Sequence, residues 1–314
     1  MKPRSISKTF LEDLLRGSLV PIVREVRQDE TLDLELRGES IIVYYRGAKI
    51  LEVVEFAQSK YKFNEGDPKY LISEIVPDLS KIIDGTNPKK SIQEYLSSFK
   101  FNVDLYFGGL RNEEERKKRF SIENEIRQHI IRENNYTQYA SETDYFIIDS
   151  EYTTSNDDKT SKFDIVAIEW IAESSKRSLK SHYKPKLAIF ELKYAGKALK
   201  GDSGLKSHYD DYENFIKDKN EVELFKKDIL KVLKQKRQLG LIPYLLSENS
   251  NEVLEVEESI DFIYIIANYN HRSSILSNEI KNIPGFKMIT ANYMGYGLYK
   301  RNIQTHEKSL QLSE

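Results

Sequence analysis

Two rhythms of apolar residues alternate along the chain. Over SKTFLEDLLR, residues 7–16, they recur at helical spacing and predict a short helix. From 32 to 56, LDLELRGESIIVYYRGAKILEVVEF, alternating runs are broken at Arg-Gly-Glu-Ser and Arg-Gly-Ala-Lys, which predicts three short antiparallel strands. Residues 67–84 and 91–108 return to helical spacing, with Pro77 placed to kink or divide the first of these segments. RNEEERKKR, 111–119, reads as a linker or as the exposed start of a long helix. The expected division is a small N-terminal α+β lobe over 1–110 and a larger domain over 111–314.

Beyond residue 119 the order of elements is more informative. RFSIENEIRQHIIREN carries Ile122, Ile126 and Ile130 at i, i+4, i+8, an amphipathic helix. DYFIIDSEYTT (144–154), FDIVAIEWI (163–171) and KLAIFELKY (186–194) read as strands, separated by the polar loop SNDDKTSK and the basic loop ESSKRSLKSHYKP. Glycines 196, 201 and 204 precede the helical GLKSHYDDYENFIKD, and helical spacing continues to about 240. IDFIYIIANYN, 260–270, is apolar enough to be a central strand, and a short helix (273–281) and two strands (286–293, 297–301) close the chain. Residues 119–270 therefore give α-β-β-β-α-(α)-β, a fold of the α/β (α+β) class with a mixed sheet flanked by helices.

Composition narrows the classes of function. Of 314 residues, 39% are apolar and 31% charged, enough hydrophobe for a core and too much charge for a membrane protein. No apolar run approaches the ~20 residues of a bilayer span. With no cysteine, disulfides and thiolate metal sites are excluded, and a cytoplasmic location is expected. The formal net charge of −2 gives nucleic-acid binding no bulk support, though a cleft can confine positive potential. The 20 tyrosines are mostly scattered singly, as half-buried amphipathic side chains are.

One run carries chemistry. LAIFELKYA, 187–195, interrupts an apolar strand with Glu191 and Lys193, which at i and i+2 project from the same face. Burying two charges is costly unless they are paired or bind a metal. Asp164 opens the preceding strand, so if the two strands form a hairpin pair the carboxylates meet at one sheet edge. Two adjacent carboxylates repel, and one takes up a proton unless a divalent cation lies between them. Oxygen ligands suit Mg²⁺ or Mn²⁺, which polarise phosphoryl oxygens and acidify bound water, and a neighbouring lysine can orient that water. Other acid-x-Lys triplets, at Asp67, Glu115, Asp157 and Glu279, stand in polar or helical contexts where solvated pairs are expected. Glu169, the rival carboxylate on the Asp164 strand, falls on the opposite face by alternation.

Asp164 followed by Glu191-Leu192-Lys193, within this order of elements, resembles the PD-(D/E)xK nuclease superfamily, also called the restriction-endonuclease-like fold. The resemblance covers about 119–270 and does not reach the N-terminal lobe. It implies that Asp164 and Glu191 are metal ligands, that Lys193 is the catalytic lysine, and that the first core helix supplies a further carboxylate, Glu123 in preference to Glu125. The superfamily's proline before the Asp is replaced by Phe163. The implied activity is hydrolysis of phosphodiesters, DNA before RNA, with Mg²⁺ (or Mn²⁺). A homodimer would suit an enzyme that cuts both strands. The alternative is a module on the same fold that binds or regulates with little hydrolysis, its N-terminal lobe meeting a protein partner.

Weaker candidates for phosphate contact are Lys176, Arg177, Lys180, His182, Lys184 and Lys186 around the basic loop, and Lys206 and His208 after the motif. A second basic group, Lys226, Lys227, Lys231, Lys234, Lys236 and Arg237, sits on a helix that gathers some of them onto one face. His208 and Tyr212 are i, i+4 and face either the cleft or the core. Tyr44, Tyr45 and Arg46 either stack on bases or pack across strands. The five histidines lack metal-site spacing, and no Walker loop, nucleophile elbow or dinucleotide fingerprint appears.

Overall fold

The computed structural model describes residues 3–84, 88–108, 122–156, 159–177, 183–194, 196–201, 204–242, 254–268, 274–291 and 295–305. The charged stretch 111–119 and Lys180 and His182 lie outside them. The protein is mixed α+β with two sheets, one four-stranded and antiparallel, the other six-stranded and mixed. It forms two compact units, and the division differs from the expected one at 110/111. One unit comprises residues 2–128 and 231–241, the other 129–230 and 242–314. Two helices, Ile122–Asn135 and Lys219–Gln238, thus each contribute residues to both units. The reason is visible in the second of them: its last turns carry Gln235 and Lys236, whose partners are N-terminal residues.

In the first unit, helices Lys8–Arg16 (α1) and Val20–Gln28 (α2) lead into strands Leu32–Leu36 (β1), Ser40–Tyr45 (β2), Ala48–Ala57 (β3) and Lys60–Glu65 (β4), paired in that order. The sequence predicts three strands. The fourth, KYKFNE, is an edge strand with few buried positions and so carries little apolar signal. α2 also lacks an expectation, although its buried Ile22, Val23 and Val26 stand at the i, i+1, i+4 spacing of an amphipathic helix. The β2–β3 hairpin closes through Arg46 and Gly47, with φ of 51° and 74°. Two successive left-handed residues make the turn whose twist matches the flanking strands. Arg46 is fixed there by Asp104 at 3.0 Å and Glu125 at 2.9 Å, and the Tyr45 hydroxyl donates to Asp104 at 2.9 Å. Where helix was expected over 67–84, a short 3₁₀ turn at Pro68–Tyr70 is followed by irregular chain and then Ser80–Asp84 (α3). Asn102, fully buried on Pro88–Gly108 (α4), accepts from the amides of Ile72 and Ser73 and donates to the Ile75 carbonyl, replacing the helical hydrogen bonds this stretch lacks.

The second unit contains the helix Ile122–Asn135 (α5) from residue 129 onward, then strands Tyr145–Asn156 (β5), Lys159–Glu169 (β6) and Lys186–Tyr194 (β7), with a short helix Ser174–Arg177 (α6) between the last two. Helices Leu205–Lys217 (α7) and Lys219–Gln238 (α8) precede Ile260–Ala267 (β8), Ser274–Glu279 (α9), Lys287–Ala291 (β9) and Gln304–Thr305 (β10). The sheet order is β10-β9-β8-β7-β6-β5. β5, β6 and β7 form an antiparallel meander, and β7, β8 and β9 run parallel. β7 and β8 are central and buried almost throughout, which is why they read as long, mostly apolar runs. Of the polar segment 155–162, expected as a loop, residues 155–156 and 159–162 instead extend the β5–β6 ladder through Thr154↔Ser161 to Asn156↔Lys159. The strand expected at 297–301 is a 3₁₀ turn at Lys300–Asn302, with the strand displaced to 304–305. Among the described residues, no helix is long and apolar enough to cross a membrane.

Candidate functional site

The site grows from the point where the β6–β7 ladder stops. Its last paired residues are Ile165↔Phe190, so Asp164 and Glu191 come next on their strands. There the Asp164 carboxylate takes over the role of a strand carbonyl. Its Oδ2 accepts the Leu192 amide at 3.0 Å, which binds the carboxylate to the backbone between Glu191 and Lys193. A carboxylate fixed by a backbone N–H is oriented without the loss of a side-chain search. On the other side of Asp164, the β5–β6 pairs Ser150↔Ile165 and Tyr152↔Phe163 leave Glu151 standing opposite it in count. Glu151 has φ 52°, and its Oε1 accepts from Lys162 at 2.8 Å. A left-handed glutamate inside a strand stores about 1–2 kcal/mol of backbone strain, a feature concentrated at functional sites. The surrounding Tyr-Thr-Thr is β-forming and announces an uninterrupted strand, so nothing in the sequence marks Glu151.

Glu191 and Lys193 are almost fully buried, at 2% and 6% exposure. Lys193 Nζ lies 2.7 Å from Glu191 Oε1, and His208 Nε2 lies 3.2 Å from the same oxygen. His208 arrives from the first turns of α7. That helix is anchored on β8 by two tyrosines: Tyr264 donates to the Leu205 carbonyl at 2.6 Å, and Tyr212 donates to the Ile260 carbonyl at 2.8 Å. Tyr264 is paired in register with Glu191. Burial first, and then the negative charge of Glu191, drives its phenol far above the ordinary pKa, so it is a fixed neutral donor. Tyr212 is buried against Phe262, its ring stacked at 4.7 Å, and belongs to the core. His208 is 22% exposed and faces Glu191, which separates the two members of the i, i+4 pair.

Other predicted residues fall elsewhere. Glu169 stands at the far end of β6 from Asp164, where it accepts from Tyr145 at 2.9 Å and from Lys300 at 2.8 Å. Glu123 and Glu125 occupy the first turn of α5, in the part belonging to the other unit, where Glu125 holds Arg46. Arg177 is engaged by main chain: Nε donates to the Trp170 carbonyl at 3.0 Å, and the remaining nitrogens reach the carbonyls of Ser141 and Thr143. Its plane lies over Phe146 at 4.9 Å, and burial lowers its pKa. Lys176 pairs with Glu173 at 3.3 Å, Lys184 with Glu255 at 2.7 Å, Lys186 with Asp261 at 2.5 Å, and Lys206 with Asp210. The exposed pairs among these are weak and exchange readily for another anion. Lys236, expected on a basic surface, is wholly buried against Glu35.

Among the described residues, no group of three or more His, Cys, Asp or Glu side chains could hold a metal ion. Asp164 and Glu191 follow the last pair of the β6–β7 ladder, with the Asp164 carboxylate on the Leu192 amide and Lys193 on Glu191. A Mg²⁺ that keeps several waters is commonly bound by only one or two carboxylates. Chemically, the arrangement offers hard oxygen donors, a buried ammonium group and a partly exposed imidazole around one carboxylate. Compared with protein-family models, with curated proteins and with solved structures, the chain finds no match in any of the three.

Proposed function

We propose that the protein is a Mg²⁺-dependent phosphodiesterase of the PD-(D/E)xK type, acting on nucleic acid, DNA before RNA. The observation that carries this reading is the Asp164–Leu192 amide hydrogen bond, which ties the aspartate to the Glu191–Lys193 pair where the β6–β7 ladder ends. Asp164 and Glu191 would hold the ion. Bound there, Mg²⁺ supplies an acidified water and charge stabilisation at the phosphoryl oxygens. The chain's own residues do the rest. Lys193 holds Glu191 in place and presents an ammonium group that orients the attacking water and balances developing negative charge. His208 braces the same Glu191 oxygen from the helix side. The Leu192 amide keeps Asp164 from swinging out of the site.

The test is incubation of the purified protein with single-stranded and double-stranded DNA and with RNA, each with Mg²⁺, Mn²⁺ or EDTA. Cleavage that needs the ion and falls at least ~10³-fold in Asp164→Asn is the expected result, the size typical for removing one member of a catalytic constellation. Undiminished hydrolysis by the variant removes the mechanism. A second reading, a binding module on the same scaffold, draws on the fact that Glu191 already has two basic neighbours. The two separate on a melting curve. A site that takes up Mg²⁺ raises the melting temperature with ion concentration, and a purely structural cluster does not.

A further inference from the structure

We propose that the groove formed by α1, α2 and the end of α8 is a nucleotide-binding pocket. It is a groove of about 480 Å³, lined by leucine and valine side chains together with Arg24, Arg27, Gln28 and Gln238. That volume and mixed lining are those of a small-ligand site. The guanidinium groups are the informative part. Among the described residues, neither Arg24 nor Arg27 has an ion pair or a side-chain hydrogen bond. The nearby carboxylates are occupied: Glu12 holds Arg16 at 2.6 Å, Asp13 accepts from Tyr61 at 2.6 Å, and Asp29 binds Lys100 at 2.5 Å. Glu25, the remaining acid of α2, does not line the groove.

Arg27 is also positioned. A Cβ on Gly240 would come within 2.9 Å of its Cζ, so the guanidinium lies directly on the backbone that follows α8, where Gly240 has φ 69°. Lys231 and Lys234, exposed and likewise without ion partners among the described residues, continue the positive face along α8 toward Gln238 at i, i+3, i+7 spacing. Two planar forks that match phosphate oxygens beside an apolar wall fit a ligand with a phosphate at one end and a flat, weakly polar body at the other. The choice of a nucleotide within that chemistry rests on the phosphodiesterase reading; the phosphate contact does not. The nucleotide comes either free or as one unit of a strand.

Binding is measured by calorimetry on the full chain carrying Asp164→Asn, in EDTA, so that neither metal nor cleavage enters. The probes are dAMP, AMP, adenosine, inorganic phosphate and a twelve-residue single-stranded oligodeoxynucleotide. The variants added are Arg24→Gln/Arg27→Gln and, to fill the groove without altering charge, Leu15→Trp. At least tenfold weaker binding of dAMP or AMP in both variants supports a free-nucleotide pocket. The same loss for the oligonucleotide, with mononucleotides bound weakly by every protein, supports a strand contact. Affinities for all probes within twofold of the parent in both variants overturn the proposal, and inorganic phosphate bound as tightly as dAMP overturns its nucleotide part. Because the parent here is already catalytically disabled, failure of the cleavage assay and failure of this binding assay are separate results.

Discussion

The chain writes nearly the same words twice. Glu35-Leu36-Arg37 spans the end of β1 and the residue after it, and Glu191-Leu192-Lys193 stands near the end of β7, each an acid and a base two residues apart. Each glutamate is buried and each has a lysine close by, Lys236 at 2.8 Å from Glu35 and Lys193 at 2.7 Å from Glu191. The surroundings separate them. Glu35 and Lys236 are both 0% exposed and lie 201 residues apart in sequence, a pair sealed by tertiary structure with Arg37 at 3.4 Å as a second cation. Glu191 takes its lysine from its own strand, sits beside the half-buried Asp164, and is reached by an imidazole that water touches. The lesson is that a buried acid–base pair marks structure or chemistry according to what else reaches it, and the triplet alone does not decide.

Variants can break that comparison. The largest expected effect is on Lys193→Met, which should lower ion-dependent cleavage at least ~10³-fold while the protein stays folded; a loss under tenfold would place this pair with the sealed one. Next is Lys236→Met, which removes the fully buried 2.8 Å partner of Glu35 and leaves Arg37 at 3.4 Å, and which should cost about 3–5 kcal/mol in urea unfolding. In the same assay Lys193→Met should cost less, about 1–3 kcal/mol, because Glu191 lies beside a partly exposed imidazole whereas the Glu35–Lys236 pair is wholly sealed. Equal losses would mean the two pairs are alike energetically. Smaller again is Tyr264→Phe, about 1 kcal/mol for the hydrogen bond to Leu205 and a detectable fall in activity if α7 delivers His208. The subtlest test is acid titration. Burial alone would raise the Asp261 carboxyl, but hydrogen bonds and charge from Lys186 and Lys287 hold it below its ordinary value. Its contribution to stability is therefore complete above the ordinary carboxylate pKa near 4 and disappears as pH falls through the depressed native value. Asp261→Asn should flatten that part of the stability curve, and an unchanged acid limb would show the network to be idle.

Much of the second unit was legible because its signals are local. Long, mostly apolar runs announced β7 and β8, amphipathic spacing announced α5 and α7, and a charged pair inside an oily strand announced Glu191 and Lys193. What escaped depends on contacts far apart in sequence. Lys236 looks like its basic neighbours on α8 until Glu35 is folded against it. Arg177 looks like a loop cation until the carbonyls of Ser141, Thr143 and Trp170 close around it. β4 was missed for another reason: its positions are half-buried or exposed, so little apolar pattern marks it. Glu151 is the purest case, since a positive φ at a non-glycine residue leaves no trace in composition.

The return of residues 231–241 to the N-terminal unit has a consequence for how the protein is made. A ribosome releases Ile6 and Glu35 early, but Gln235, which brackets the Ile6 amide and carbonyl at 3.0 and 2.8 Å, and Lys236 emerge some two hundred residues later. Until then the nascent N-terminal segment carries an acid destined for burial with its lysine still unmade, so that unit reaches its final form only after most of the other has been synthesised.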